Sequence, residues 1–115
     1  MTTDKTGAEV TVSENLAHHR YDVFADGELA GYTVYRDRRH DDSAERIFYH
    51  TEVGEAFGGR GLATILVKEA LDATRAENKF IVGVCPLVAS FLKNHPEYAD
   101  ASHPVTDEVL TWLQS

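Results

Sequence analysis

Val10 and Val12 alternate with polar neighbours over residues 9–15, and Tyr21, Val23 and Ala25 repeat that alternation, so the chain is expected to open with two short strands. Residues 1–8 carry no such period and read as a flexible N-terminal arm ahead of a single domain spanning 9–115. Asp26-Gly27 supplies the residue types that tolerate a tight two-residue turn, and Leu29, Gly31, Thr33 and Tyr35 alternate with Ala30, Tyr32 and Val34 beyond it, which predicts a hairpin. The dense run of Arg, Asp and His from Arg36 to Glu45 reads as a solvated loop rather than a ligand cluster. Arg46 to Val53, rich in β-branched and aromatic residues, is a fourth strand.

The pattern then changes. Gly54, Gly58, Gly59 and Gly61 fall within eight positions, and Leu62, Ile65, Leu66, Ala70 and Ala73 follow at a helical period, with Asn78 as the stop. Phe80 to Val84 is a short apolar run suited to a strand covered on both faces. Cys85-Pro86 ends it and opens a second helix through Leu87, Val88, Phe91 and Leu92 to about Asn94, with Cys85 at the cap. Residues 106–113 fit a strand or a helical turn equally well. The succession is that of an α+β sheet protein in one domain.

Composition narrows the function. Eleven Lys and Arg against 19 Asp and Glu leave a net charge of −8, which excludes a broadly basic nucleic-acid binder. The single cysteine gives no disulfide framework, and no apolar run reaches the roughly 20 residues of a membrane span, so a cytoplasmic protein is expected. No metal site is expected, because the histidines show no ligand spacing and one cysteine completes no common structural set.

The turn Glu55-Ala56-Phe57-Gly58-Gly59-Arg60-Gly61-Leu62-Ala63 lies between a strand and an amphipathic helix. Glycines there let backbone N–H groups converge on phosphate oxygens, and a helix N-terminus adds roughly half a positive charge. Arg60 would add a cation. The attraction is local, so an acidic chain can still take a diphosphate. Glycine turns also serve simply to pack a strand against a helix, and spacing does not separate the two readings. The P-loop pattern is absent, and four antiparallel strands precede the turn where a dinucleotide fold would open with a βαβ unit.

Ala56-Phe57-Gly58-Gly59-Arg60-Gly61 resembles the acetyl-CoA pyrophosphate loop of the GCN5-related N-acetyltransferases, Gln/Arg-x-x-Gly-x-Gly/Ala, with Ala56 where Gln or Arg is usual. His50-Thr51-Glu52-Val53, Phe57 to Ala63, Cys85-Pro86 and His95-Pro96-Glu97-Tyr98 occur in the order of the small, YjdJ-like branch of that superfamily. The resemblance covers about residues 9–100. It implies a mixed, mostly antiparallel sheet whose fourth and fifth predicted strands splay, with flanking helices but without the usual first two, since 15–21 leaves no room for them. It implies acetyl-CoA as co-substrate, with Val53 at the strand edge, Phe57, Gly58, Gly59, Arg60, Gly61, Leu62 and Ala63 at the pyrophosphate, and Asn94 completing the cofactor set. The acceptor side would then be open, to a small-molecule or protein amine, or to a second copy of the chain.

Acetyl transfer needs a deprotonated amine, a polarised carbonyl and a proton for the departing thiolate. The family's usual tyrosine acid is replaced here by Leu92, with Tyr98 just beyond. Cys85 is the other candidate, because a helix N-terminus favours thiolate; it could serve as acid or acetyl carrier, or be a packed core residue. His50 and Glu52 share parity on their strand and could act as bases, or form a plain cross-strand polar pair. His95 suits a helix C-terminus without catalytic duty, and His18, His19, His40 and His103 read as surface residues. The function expected is an acetyl-CoA-dependent N-acetyltransferase; the alternative is a CoA-binding regulatory module without turnover.

Overall fold

Strand patterning in the first half of the chain folds into one meander. In the computed structural model, which describes residues 2–115, six strands lie side by side in chain order: β1 (Thr2–Thr3), β2 (Glu9–Asn15), β3 (Arg20–Ala25), β4 (Glu28–His40), β5 (Ser43–Val53) and β6 (Phe80–Gly83). All pairs are antiparallel except β5 and β6, which run parallel because helix α1 (Leu62–Ala76) carries the chain back between them. Helices α2 (Pro86–Asn94) and α3 (Asp107–Leu113) follow, which settles residues 107–113 as helix; Thr106 caps it by accepting the Val109 N–H at 3.2 Å. Only a single 3-10 turn, Leu16–His18, stands between β2 and β3. No helix among the described residues is long and apolar enough to cross a membrane.

The main core fills one face of the sheet. Leu62, Leu66, Val67, Ala70 and Leu71 of α1 meet Tyr21, Val23, Tyr35 and Phe48, with Cys85, Val88, Phe91 and Tyr98 closing one end. On the other face α3 covers Ile47 and Val82 with Val109, while Arg36 stacks on Trp112. That face stays open over the outer half of β4 and β5.

Two regions differ from the sequence reading. Residues 36–45 are not a solvated loop: β4 and β5 run on to a turn at Asp41 and Asp42, both with positive φ. The charges are cross-strand partners. Arg46, 2% exposed, is held by Asp37 at 2.8 Å and by the Tyr21 hydroxyl at 2.6 Å. Glu45 accepts from Arg38 at 2.8 Å and meets His103 Nδ1 at 2.5 Å; against burial, these bonds hold its carboxyl below the ordinary range. Losing one partner of such a pair strands a buried charge, at about 3–5 kcal/mol. Alternating charge on a long hairpin is indistinguishable from a polar loop until the partner strand is known.

Residues 2–8 are likewise built into the fold. Thr2 and Thr3 pair with Val10 and Glu9 as an edge strand. Asp4 closes a turn by accepting from the Thr6 hydroxyl at 2.6 Å and from the Thr6 and Ala8 N–H groups.

Candidate functional site

β5 carries one more residue than β4 across from it. The register runs Tyr35 to Phe48 and then Val34 to His50, leaving Tyr49 as a bulge. The bulge exchanges the faces of the strand: Phe48 points into the core under α1, whereas His50 and Glu52, two and four residues later, lie on the open face. Parallel pairing of β5 with β6 ends at the same point, at Phe48 and Gly83, where the Phe48 carbonyl accepts both Val84 N–H (2.9 Å) and Cys85 N–H (3.0 Å). From Tyr49 to Val53, β5 pairs with β4 alone among the described residues. The strands therefore splay, as expected, and a stretch of β5 backbone borders the gap.

Cys85 sits at the root of that gap, 3% exposed, as the cap residue of α2 with Pro86 in the first helical position. Its side chain makes no capping bond. Its Sγ lies 3.1 Å from Thr51 Oγ1, which is 2.8 Å from Thr33 Oγ1, giving a thiol–hydroxyl–hydroxyl row from the α2 cap across β5 to β4. On the opposite face His50 Nε2 and Glu52 Oε1 are 3.3 Å apart, and the Tyr32 hydroxyl donates to Glu52 Oε2 at 3.3 Å. These side chains are exposed, so their mutual attraction is weak and they are free to engage another group.

The glycine turn follows β5. Gly59 (φ +75°) and Gly61 (φ +81°) both occupy the left-handed region, where a Cβ costs about 1–2 kcal/mol. This conformation aims the N–H groups of residues 59–64 outward: none of the six donates to a backbone or side-chain acceptor among the described residues, and the first helical bond is Ile65 N–H to Gly61 at 3.3 Å. They border a groove of about 210 Å³ lined by Val53, Phe57, Gly58, Gly59, Gly61, Leu62 and Ala63. A second hollow of about 160 Å³, also lined by Ala63 and Thr64, lies between α1 and α2 beside Phe91 and Asn94. Of the expected cofactor residues, Val53, Phe57, Gly58, Gly59, Gly61, Leu62 and Ala63 line the first hollow and Asn94 the second; Arg60 lines neither. The Arg60 guanidinium lies over the Phe57 ring, with its Nε paired to the buried Asp4 carboxylate at 2.7 Å, so its charge is already compensated.

Tyr98 is not brought to the gap. Its hydroxyl donates to Asp72 on α1 at 2.6 Å and its ring lies under Arg75. Burial, reinforced by the Asp72 bond, pushes the phenol up to about 12. His95 is stacked on Phe91 with Nδ1 2.8 Å from the Phe91 carbonyl. Leu92 packs beneath Gly83 against the core. Thr51, Tyr32 and Lys5 were not singled out by sequence. Thr51 follows from the parity of its neighbours, but Tyr32 reaches Glu52 only through the bulge, and Lys5 reaches the glycine turn only through β1.

The site is thus a mixed sheet that splays beside a glycine turn at a helix N-terminus. The family model described as GCN5-related N-acetyl-transferase matches residues 20–101, and the chain belongs to that family. Among solved structures, a GCN5-like N-acetyltransferase candidate from Staphylococcus aureus is similar over 84% of this chain and 91% of its own, at 18% identity and a TM-score of 0.60. A ribosomal-protein-alanine N-acetyltransferase from Brucella melitensis biovar Abortus 2308 matches 76% of this chain at 18% identity and a TM-score of 0.55, and only 63% of its own length is spanned. Both likenesses concern the fold. A search of curated proteins finds no match.

Proposed function

We propose that the chain is an acetyl-CoA-dependent N-acetyltransferase acting on an amine of a small molecule or an exposed protein amine. One observation carries this reading: six successive N–H groups, residues 59–64, have no acceptor among the described residues and stand at a groove bordered by Val53 at the end of β5. Donors so arranged at a helix N-terminus suit a diphosphate. The free edge of β5 from Tyr49 to Val53 suits an amide-bearing arm that can pair with it as a strand would.

Acetyl-CoA supplies an acetyl thioester. At the gap, backbone N–H groups of the free β5 edge stabilise charge on a carbonyl oxygen. From the open face, His50 or Glu52 takes the proton of the acceptor amine, directly or through water, as its nitrogen bonds to the acetyl carbon. Cys85, held by Thr51, gives its proton to the sulfur as the carbon–sulfur bond breaks, and the Cys85 thiolate is reprotonated from solvent. The two sides of the sheet thereby serve different partners. Tyr98 has a structural role in this scheme.

Incubation with acetyl-CoA and pools of amines tests it: free CoA should be released above the hydrolysis background. Gly59→Glu should abolish binding, because a carboxylate there repels phosphate; the space beside Gly59 is open, so the positive φ is the main stability cost, about 1–2 kcal/mol. The burial of Leu92 where the family places its tyrosine favours a second reading, a CoA-binding module without turnover. Tight CoA binding with no amine-dependent release of CoA would select it.

A further inference from the structure

We infer that Lys5 is a phosphate-binding residue of this groove and that the N-terminal segment is a working part of the site. The inference rests on the CoA-binding reading above. It concerns which cation serves the glycine turn, where Arg60 is the obvious candidate and is spent elsewhere.

Two contacts fasten residues 4–5 to the turn. Asp4, its side chain fully buried, pairs with Arg60 Nε at 2.7 Å, and the Lys5 N–H donates to the Arg60 carbonyl at 3.1 Å. This clasp lays the Lys5 side chain across Gly61: its Cε lies 3.6 Å and its Cγ 3.9 Å from where a Cβ on Gly61 would stand. A side chain on residue 61 would compete for the path that Lys5 takes. Of the four lysines, Lys68 and Lys79 are ion-paired; Lys5 and Lys93 have no carboxylate within bridging distance among the described residues, and of these two only Lys5 lies on the glycine turn, in a chain of net charge −8. An uncompensated ammonium, one bond beyond a carbon packed on the turn that presents six open N–H groups, complements an anion there. Its position over Gly61 favours the diphosphate over the ribose phosphate.

Calorimetric titrations of wild type, Lys5→Ala and Lys5→Arg with CoA and with 3′-dephospho-CoA test the inference. Lys5→Ala should weaken both ligands by roughly five- to tenfold and lessen the salt dependence of binding, while Lys5→Arg retains most of the affinity. A loss confined to CoA keeps Lys5 as a phosphate ligand but moves it to the ribose phosphate. Wild-type affinity for both ligands in Lys5→Ala, with the wild type binding normally, overturns the inference and leaves the CoA reading intact. Failure of the wild type to bind either ligand overturns the CoA reading and this inference with it.

Discussion

Thr51 Oγ1 and Cys85 Sγ stand 3.1 Å apart at the point where β5 and β6 separate. The thiol is buried, yet it borders a gap, and its one hydrogen-bond partner among the described residues is a hydroxyl that itself bonds Thr33.

Cys85→Ala should therefore lower kcat by about a hundredfold if the thiol is the proton donor, the scale of general acid catalysis, with KM for acetyl-CoA little changed. Thr51→Val should lower kcat less and shift the pH–rate profile, since it removes the partner and not the acid. Intact mass after incubation with acetyl-CoA should show no retained acetyl group. An adduct that vanishes in Cys85→Ser would make Cys85 a covalent carrier instead.

Tyr98→Phe should leave turnover at the wild-type level and reduce stability by about 1 kcal/mol, because it removes a bond to Asp72 and nothing at the gap. The phenol is raised in the folded state, so its contribution is complete below about pH 10 and is lost as pH rises through about 12. Denaturation of both proteins at pH 7 and at high pH checks the sign. A hundredfold loss of kcat would instead make Tyr98 the acid.

Gly31 faces the backbone of β5 so closely that a Cβ would stand 2.4 Å from the Glu52 carbonyl oxygen and 2.9 Å from Val53 Cα. Backbone atoms of a paired strand cannot swing aside. Gly31→Ala should lower stability by about 2 kcal/mol in denaturant melts and, by displacing the edge of β5, also weaken CoA binding.

Asp4 is held at about 2, chiefly by the Thr6 hydroxyl, then by Arg60 and the Thr6 and Ala8 N–H groups, against burial. A depressed carboxyl contributes its full stabilisation above its unfolded value near 4 and loses it as pH falls towards 2. Asp4→Asn should be less stable than wild type at pH 7, with the difference shrinking between about pH 4 and 2. A difference constant across that range would contradict the clasp of Asp4 on Arg60.

The outline of the fold was legible because it depends on local periods. Val10 and Val12 on a strand, the stripe from Leu62 to Ala73 on a helix, and Pro86 at the start of α2 are each decided within a few residues. The glycine turn was legible for the same reason. What was not legible depends on register. Counted back from Asp41-Asp42 without a bulge, Tyr32 would face Thr51; the extra residue at Tyr49 puts it opposite Glu52 and turns His50 and Glu52 to the open face. The charges of residues 36–45 read as solvated because Asp37, Arg38 and Glu45 find their partners only on other strands and helices. Arg60 read as a phosphate ligand because Asp4, 56 residues away, is its neighbour only in space.

The account stands on the free amides of residues 59–64 as the phosphate cradle. The most direct test follows their ¹⁵N–¹H resonances during titration with CoA. Large saturable shifts at Gly59, Arg60, Gly61 and Leu62, absent with pantetheine alone, are the predicted result. Unmoved amides at millimolar CoA, or shifts confined to another face of the sheet, would contradict it.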